Sequence, residues 1–326
     1  MSVLTHDPQQ RLQQLSEVVS QILDLAKQAG ATSAEAGVSA SSGTAAAVRL
    51  GEVETIEHSS DNGMAISVYF GHRKGSASTT DLSPAAITDA VNAACNIARF
   101  TTEDPYNGLA DANQMLTQQP DLDLYHPWDL SIDDAIDIAL DCENAAREFD
   151  SQISNSEGAT LNTATGFHVY GNSHGFLGAY PSSRHSLSCS VIAGTGDNMQ
   201  RDYWYDTSRL PENLKPARVI GEKTAERTIA RLGSRRLKTG TFPVIFRSDV
   251  APGLLRNLVS AIRGSALYRK STFLLDHLDK QIFPEFVRIS ENPLLPRGLA
   301  SASYDSDGVA TSAKDLVNQG ILQSYV

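Results

Sequence analysis

Hydrophobic positions recur along residues 11–30 at helical spacing. Leu12, Leu15, Val19, Ile22, Leu23 and Ala26 fall on one face, and Gly30 supplies the left-handed residue on which helices commonly stop. The period then changes. Three alternating stretches follow, AEAGVSA, TAAAVRLGEVETIEHS and GMAISVYF. The last leads through a Gly-bounded turn into GSASTT, which reads as strand, turn and returning strand. Ser83 and Pro84 open a second helix as N-cap and first-turn proline, with Ile87, Val91, Ala94 and Ala98 along its apolar face. Residues 1–104 therefore predict an N-terminal domain in which two helices accompany a strand meander.

Residues 105–130 break both periods. Pro105, Pro120 and Pro127 stand among Asp, Asn and Gln, and the stretch reads as a linker. At Ser131 a capping box with Asp134 in the usual Glu position starts a helix expected to run to about Phe149. Strands follow in SQISNSEG, TGFHVYGN, HGFLGAY and HSLSCSVIA, and a helix in ARVIGEKTAERTIARL closes a central α+β domain over residues 131–233. After the basic linker GSRRLKTG, residues 240–326 predict a strand in TFPVIF and a helix over 250–263 whose apolar face is Leu254, Leu255, Leu258 and Ile262. The alternating run GILQSYV ends at Val326 without a polar tail, which would leave an unpaired apolar strand edge. The expectation is a β-rich C-terminal domain that is incomplete, in a chain cut short. The fold class is α+β. No internal repeat and no low-complexity tract is visible in the sequence.

Composition narrows the function classes. The 326 residues include 27 basic and 38 acidic side chains, for a net charge of −11. The balance is uneven: residues 1–160 carry 24 acids against 7 bases, and residues 161–326 carry 14 against 20. Ten acids between Asp121 and Asp150 are opposed only by Arg147, so that stretch is no nucleic-acid groove. No apolar run approaches the roughly 18 residues of a membrane span, and the polar N-terminus lacks the build of a signal peptide. Cys95, Cys142 and Cys189 are too few and too scattered for a disulfide framework. The expectation is a cytoplasmic protein without direct nucleic-acid or membrane partners.

Candidate chemistry is sparse. Gly171-Asn172-Ser173-His174-Gly175 matches the G-x-S-x-G nucleophile elbow, but strand-like segments flank it on both sides, and only His185 and His277 lie downstream as candidate bases. A hairpin turn is the expectation. His168, His174 and His185 lack metal-site spacing, and neither H-E-x-x-H nor H-E-x-x-x-H occurs. Asp305-Ser306-Asp307-Gly308 has part of a calcium-loop pattern without its distal Glu and reads as a turn. Cys142 lies in an acidic helix, which raises a thiol pKa and disfavours a nucleophile. The run Tyr268 to Leu274 places Arg269 and Lys270 beside hydroxyls and reads equally as a carboxylate clamp or a solvated turn. From the residues alone, no catalytic, cofactor-binding or metal-ligating set is complete.

Several long strings carry a resemblance: GEVETIEHSSDNGMAISVYFGHRKGSASTTDLSPAAI, SNSEGA, YGNSHGF, SRHSLSCSVIA, the MQRDYWYD run, YRKSTFLLDHL and YDSDGV. Together they resemble the PmbA (TldE) branch of the TldD/PmbA family across nearly the whole chain. The resemblance implies a cytoplasmic subunit of a metallopeptidase that acts on peptides or unfolded proteins. In the TldD branch a helix carries H-E-x-x-x-H, whose histidines hold zinc. The matching shoulder here reads Arg256-Asn257-Leu258-Val259-Ser260-Ala261, so Arg256 and Ala261 stand at the ligand positions and Asn257 at the base. The resemblance thus implies no cofactor in this chain, zinc in a TldD-like partner, and a heterodimer, with a homodimer open when the chain is alone. The alternative is a regulatory, protein-binding protein of gyrase-modulator type with no part in hydrolysis. A further rival is an autonomous hydrolase using Ser173 or a histidine-bound metal.

Overall fold

The computed structural model describes residues 7–326. They divide into one compact unit of residues up to 234 together with 295–311, and a second of 235–294 with 312–326. In the first unit, helix α1 (Pro8–Gln28) is capped by Asp7, whose side chain accepts from the Gln9 amide. It ends in a Schellman arrangement: Gly30, at φ +88°, donates to the Lys27 carbonyl, and Ala31 donates to that of Ala26. Strands β1 (Ser33–Arg49), β2 (Glu52–Phe70) and β3 (Arg73–Thr79) follow, then α2 (Pro84–Phe100), with the Ser83 hydroxyl accepting from the Ala86 amide. After an irregular stretch come α3 (Ile132–Arg147), β4 (Ile153–Asn172), β5 (Leu177–Ala193), β6 (Gln200–Ser208) and α4 (Ala217–Ile229). Ser131 and Asp134 form the expected cap, the Ser131 hydroxyl accepting from the Asp134 amide at 3.0 Å.

All six strands join one antiparallel sheet in the order β3-β2-β1-β4-β5-β6. That order makes a repeat visible which the sequence does not show. Helix, three strands and helix run twice, α1-β1-β2-β3-α2 and α3-β4-β5-β6-α4, and the two first strands pair antiparallel at the centre. The segments expected as the first and central domains thus each supply three strands to one sheet. Both helix pairs cover the same face. β1 sends Ala34, Ala36, Val38 and Ala40 into the core under α1 and α2, and Ala46 and Val48 into the core under α3 and α4; all are even positions of one strand.

The strands are longer than the alternation predicts. AEAGVSA and TAAAVR are one strand, and the chain reverses at Leu50-Gly51 inside the stretch expected to continue. Leu50 (φ +56°) and Gly51 (φ +84°) form a two-residue hairpin turn with both residues left-handed. Leucine is a poor residue for that conformation. The buried Glu143 carboxylate of α3 holds it, accepting from the Leu50 amide at 2.7 Å and the Gly51 amide at 2.9 Å. Similarly, β4 and β5 each merge two expected strands. Pro181 sits within β5, but β6 covers only residues 185–193, so the proline lies where no strand pairs the outer edge. Residues 52–62 of β2 likewise have no strand on their outer edge, since β3 pairs only from Met64 onward.

The stretch expected as a linker is tied down. Leu122 and Leu124 are buried, and the Leu124 carbonyl accepts from the Ser183 amide. Buried Arg209 secures residues 295–299, donating to the carbonyls of Gly298, Leu299 and Ser183 at 2.9–3.1 Å.

The second unit holds α5 (Pro252–Ala261), α6 (Gly264–Tyr268) and a small antiparallel sheet of β7 (Ile289–Glu291), β8 (Lys314–Asn318) and β9 (Ile321–Leu322). Two expectations change here. TFPVIF is not a strand: residues 241–247 find no described backbone to pair with, and Val244 and Ile245 are exposed. On α5, Leu258 (7% exposed) and Ile262 are buried as expected, whereas Leu254 and Leu255 remain 50% and 48% exposed. Only half of the apolar face meets the local core of Leu274, Leu316, Val317 and Leu322.

Candidate functional site

The face of the large sheet opposite the helices carries a groove of about 800 Å³. Its floor consists of small residues at open-face positions of three strands: Gly37 and Ser39 on β1, Gly63 and Ala65 on β2, and Ser78 on β3. Aromatic rings make the wall. His168 and Tyr170 point outward from β4 and Tyr180 from β5, and Tyr304 arrives from the 295–311 segment. Tyr304 lies 5.9 Å from Tyr180 and 6.5 Å from Tyr170 between ring centroids, with Phe176 edge-on at 5.2 Å. Gly178 permits this contact, because a side chain there would run into the Tyr304 ring. The Tyr304 residue is 7% exposed, and its hydroxyl has no hydrogen-bond partner among the described residues. Burial pushes the phenol pKa up, helped by Tyr180 and Tyr170.

Carboxylates gather at one end. Asp305 lines the groove; its Oδ1 accepts from the Asp307 and Val309 amides, fixing a turn that Gly308 completes at φ +82°. This is the turn expected for Asp305–Gly308. Behind it, Glu35 accepts from the Tyr69 hydroxyl at 2.9 Å and the Tyr170 hydroxyl at 3.1 Å, and pairs with Lys74 at 3.4 Å. Burial, then the charges of Asp305 and Glu35, hold the Asp307 carboxyl above the ordinary aspartate range, with Lys74 opposing. Partial desolvation holds the His168 imidazole below the usual histidine value. The arrangement offers ring faces, small-residue backbone and carboxylates to a ligand; among the described residues none of its serines is hydrogen-bonded to a histidine.

The residues singled out in the sequence are dispersed. Ser173 sits in the β4–β5 turn, where its hydroxyl accepts from the Ala34 amide at 3.1 Å and its amide donates to the Ala34 carbonyl. No histidine hydrogen-bonds it among the described residues, and the flanks are strands, so the elbow geometry is absent. His174 lies in the same turn, and His168 is on the groove wall. His185 is buried on the helix face, its Nε2–H donating to the His126 carbonyl and its Nδ1 accepting from Thr163; burial pushes its pKa down. His277 belongs to the second unit, bonded to the Leu275 carbonyl. A hydrogen bond with Cys189, then burial, raise the Cys142 thiol far above its ordinary value. Arg269 and Lys270 follow α6 in a turn, Lys270 at φ +52°. On α5, Arg256 and Asn257 are exposed, Ala261 is half-buried, and the Asn257 amide donates to the Gly253 carbonyl at 3.0 Å. The groove itself escaped the sequence reading. Tyr170 and Tyr180 are brought side by side by the β4–β5 register, while Tyr304 comes from a segment more than 120 residues further along the chain.

Three family models match: PmbA/TldA metallopeptidase domain 1 over residues 34–98, the central domain over 125–232 and the C-terminal domain over 239–326. The chain is 48% identical over 314 residues to the metalloprotease PmbA homolog of Haemophilus influenzae, covering 96% of this chain and 69% of that protein. It is 47% identical over 312 residues to metalloprotease PmbA of Escherichia coli O157:H7, with the same coverage. A Bacteroides thetaiotaomicron structure described as a candidate modulator of DNA gyrase superposes with a TM-score of 0.90 at 26% identity, over 96% of this chain and 71% of that one. TldE from Thermococcus kodakarensis shares the fold, with a TM-score of 0.77 at 18% identity over 95% and 69% of the two chains. Fold, domain matches and relatives agree that this chain belongs to the PmbA/TldD metallopeptidase family, on its PmbA/TldE side.

Proposed function

We propose that this chain is the subunit of a cytoplasmic PmbA/TldD-type metallopeptidase that does not hold the metal, and that it works with a TldD-like, zinc-binding partner on peptides or unfolded proteins. One observation carries the reading: the chemistry of α5. Arg256 carries a guanidinium, which presents N–H donors rather than a lone pair to a cation, Ala261 offers no donor atom, and the Asn257 amide is already committed to the Gly253 carbonyl. Those side chains do not fit a zinc ion, which is held by imidazole, thiolate or carboxylate. Zinc in such a complex would polarise the scissile carbonyl and activate water, from the partner's side chains. This chain's part is to present substrate.

Reconstitution tests the reading. After dialysis the purified chain is expected to hold well below one zinc, and alone to leave an unfolded protein substrate intact. Mixed with a TldD-like subunit carrying H-E-x-x-x-H, it is expected to restore proteolysis, and Asn257→Ala in the mixture to leave turnover nearly unchanged. A tightly retained equivalent of zinc in this chain, or a large fall in turnover of a folded Asn257→Ala variant, overturns the proposal. The regulatory reading, which the description of the Bacteroides neighbour favours, gains if the mixture gives no more proteolysis than the partner alone.

A further inference from the structure

The groove on the open face of the sheet is built for more than an apolar side chain. Its floor of Gly37, Ser39, Gly63, Ala65 and Ser78 lies close to backbone level, so an extended chain can rest on it. Its wall presents Tyr170, Tyr180 and Tyr304, whose π faces attract cations. Polar groups stand beside the rings. The buried Tyr304 hydroxyl has no partner, an arrangement that ordinarily costs free energy. Asp305 spends Oδ1 on its turn, while Oδ2 accepts no hydrogen bond among the described residues. Burial and the charges of Asp305 and Glu35 raise the proton affinity of Asp307, with Lys74 opposing. An apolar occupant makes no use of the Asp305 carboxylate. A guanidinium or ammonium brings donors only and answers its uncommitted oxygen.

We propose that this groove receives the cationic side chain of an arginine or lysine residue in an extended peptide, seated against Tyr170, Tyr180 and Tyr304 with its charge toward Asp305. The proposal rests on the reading that the chain presents peptides, and it names which ones. A peptide residue in the groove would lie along β1 and β2 with its charged end held by the 304–308 turn.

The test uses the chain alone and reads binding, not hydrolysis. Fluorescein-labelled, end-blocked Gly-Ser-Arg-Ser-Gly is titrated by anisotropy beside congeners with citrulline, the neutral isostere of arginine, or norleucine at the centre. The arginine peptide is expected to bind about ten-fold more tightly than either. Asp305→Asn keeps the acceptor that the turn needs and removes the charge. It is expected to weaken the arginine peptide several-fold and leave the citrulline peptide unchanged. Gly37→Val fills the floor: a Cβ at Gly37 meets nothing within 4 Å, so the open face has room for it, and the variant, checked for an unchanged urea midpoint, is expected to lose binding of all three peptides. Equal affinity for arginine and citrulline, preference for norleucine, no binding at all, or indifference to Gly37→Val overturns the proposal. Because no partner, metal or turnover enters the assay, that failure leaves the subunit reading standing. Failed reconstitution with intact arginine selectivity would do the reverse.

Discussion

The half of the sheet covered by α1 and α2 and the half covered by α3 and α4 follow the same path, yet they fill their cores by different means. The first packs large branched side chains: Leu12, Leu15, Val19 and Ile22 from α1 against Ile66, Val68, Ile87 and Val91. The second is made largely of small residues, with Ala135, Ala139, Cys142 and Ala146 on α3 facing Ile220 and Ala225 on α4. Gly221 lets the α4 backbone close onto α3 at the Cys142 carbonyl, where any side chain would collide. Polar groups are also buried in the second half: Glu143, Thr224, Thr228 and His185. Thr224 and Thr228 return their hydroxyls to the Ile220 and Thr224 carbonyls one turn back. Close backbone approach occurs in both halves, since Gly75 lets β3 meet α2 at the Ala94 carbonyl. The first half adds more branched volume, the second buried and satisfied polar groups. One topology does not prescribe one kind of core.

The largest effect should come from the first half. Leu15→Ala removes a fully buried side chain and is expected to destabilise the protein by about 2–5 kcal/mol, read as a lowered urea midpoint. If it costs under about 1 kcal/mol, the claim that branched volume supports this half fails. Next is Glu143→Ala in the second half. It leaves the Leu50 and Gly51 amides without their carboxylate and is expected to cost about 2–3 kcal/mol. Hydrogen exchange should show those two amides opening far faster than their neighbours, and unchanged exchange would show that the turn does not depend on α3. The smallest effect is a pH slope. Burial lowers the folded-state pKa of His185, so the unfolded chain takes up the proton first. Stability is then fully present above the ordinary histidine value near ~6.5 and is lost as pH falls through it. Desolvated His168 adds to the slope in the same direction. His185→Gln is expected to flatten the midpoint-versus-pH curve between pH about 7 and 5, and an unaltered slope would remove His185 from the account.

Local signals carried much of the fold. The Ser83 and Ser131 caps, the Gly30 stop and the apolar stripes of α1 and α2 are written within a few residues of where they act. The Leu50-Gly51 reversal is not, because a carboxylate 93 residues away stabilises it. The repeated path was hidden for a related reason: its two halves share connectivity but not side chains. TFPVIF has strand composition without a strand, since composition supplies propensity and pairing needs a neighbour. The chemistry divides the same way. The side chains on which the proposed non-metal role rests stand in six consecutive residues of α5, whereas the groove exists only once sheet register brings Gly37, Tyr170 and Tyr180 to one face beside Tyr304.

The unpaired outer edge of β2 has a consequence for how copies of this chain behave toward one another. Along residues 52–62, alternate residues present backbone donors and acceptors at the free edge of a strand that is solvent-accessible on both faces, and Val53 and Ile56 add apolar surface. Such an edge is a template for stacking identical strands. Glu52, Glu54, Glu57 and Asp61 line it with like charges, so two copies approaching edge to edge repel. That protection is electrostatic and therefore depends on ionic strength. At about 0.15 M salt the screening length is roughly 8 Å, and at 1 M it shrinks to about 3 Å. Concentrated salt thus removes the barrier while leaving the hydrogen-bonding edge intact, and turns a guarded strand into a seed for ordered assembly.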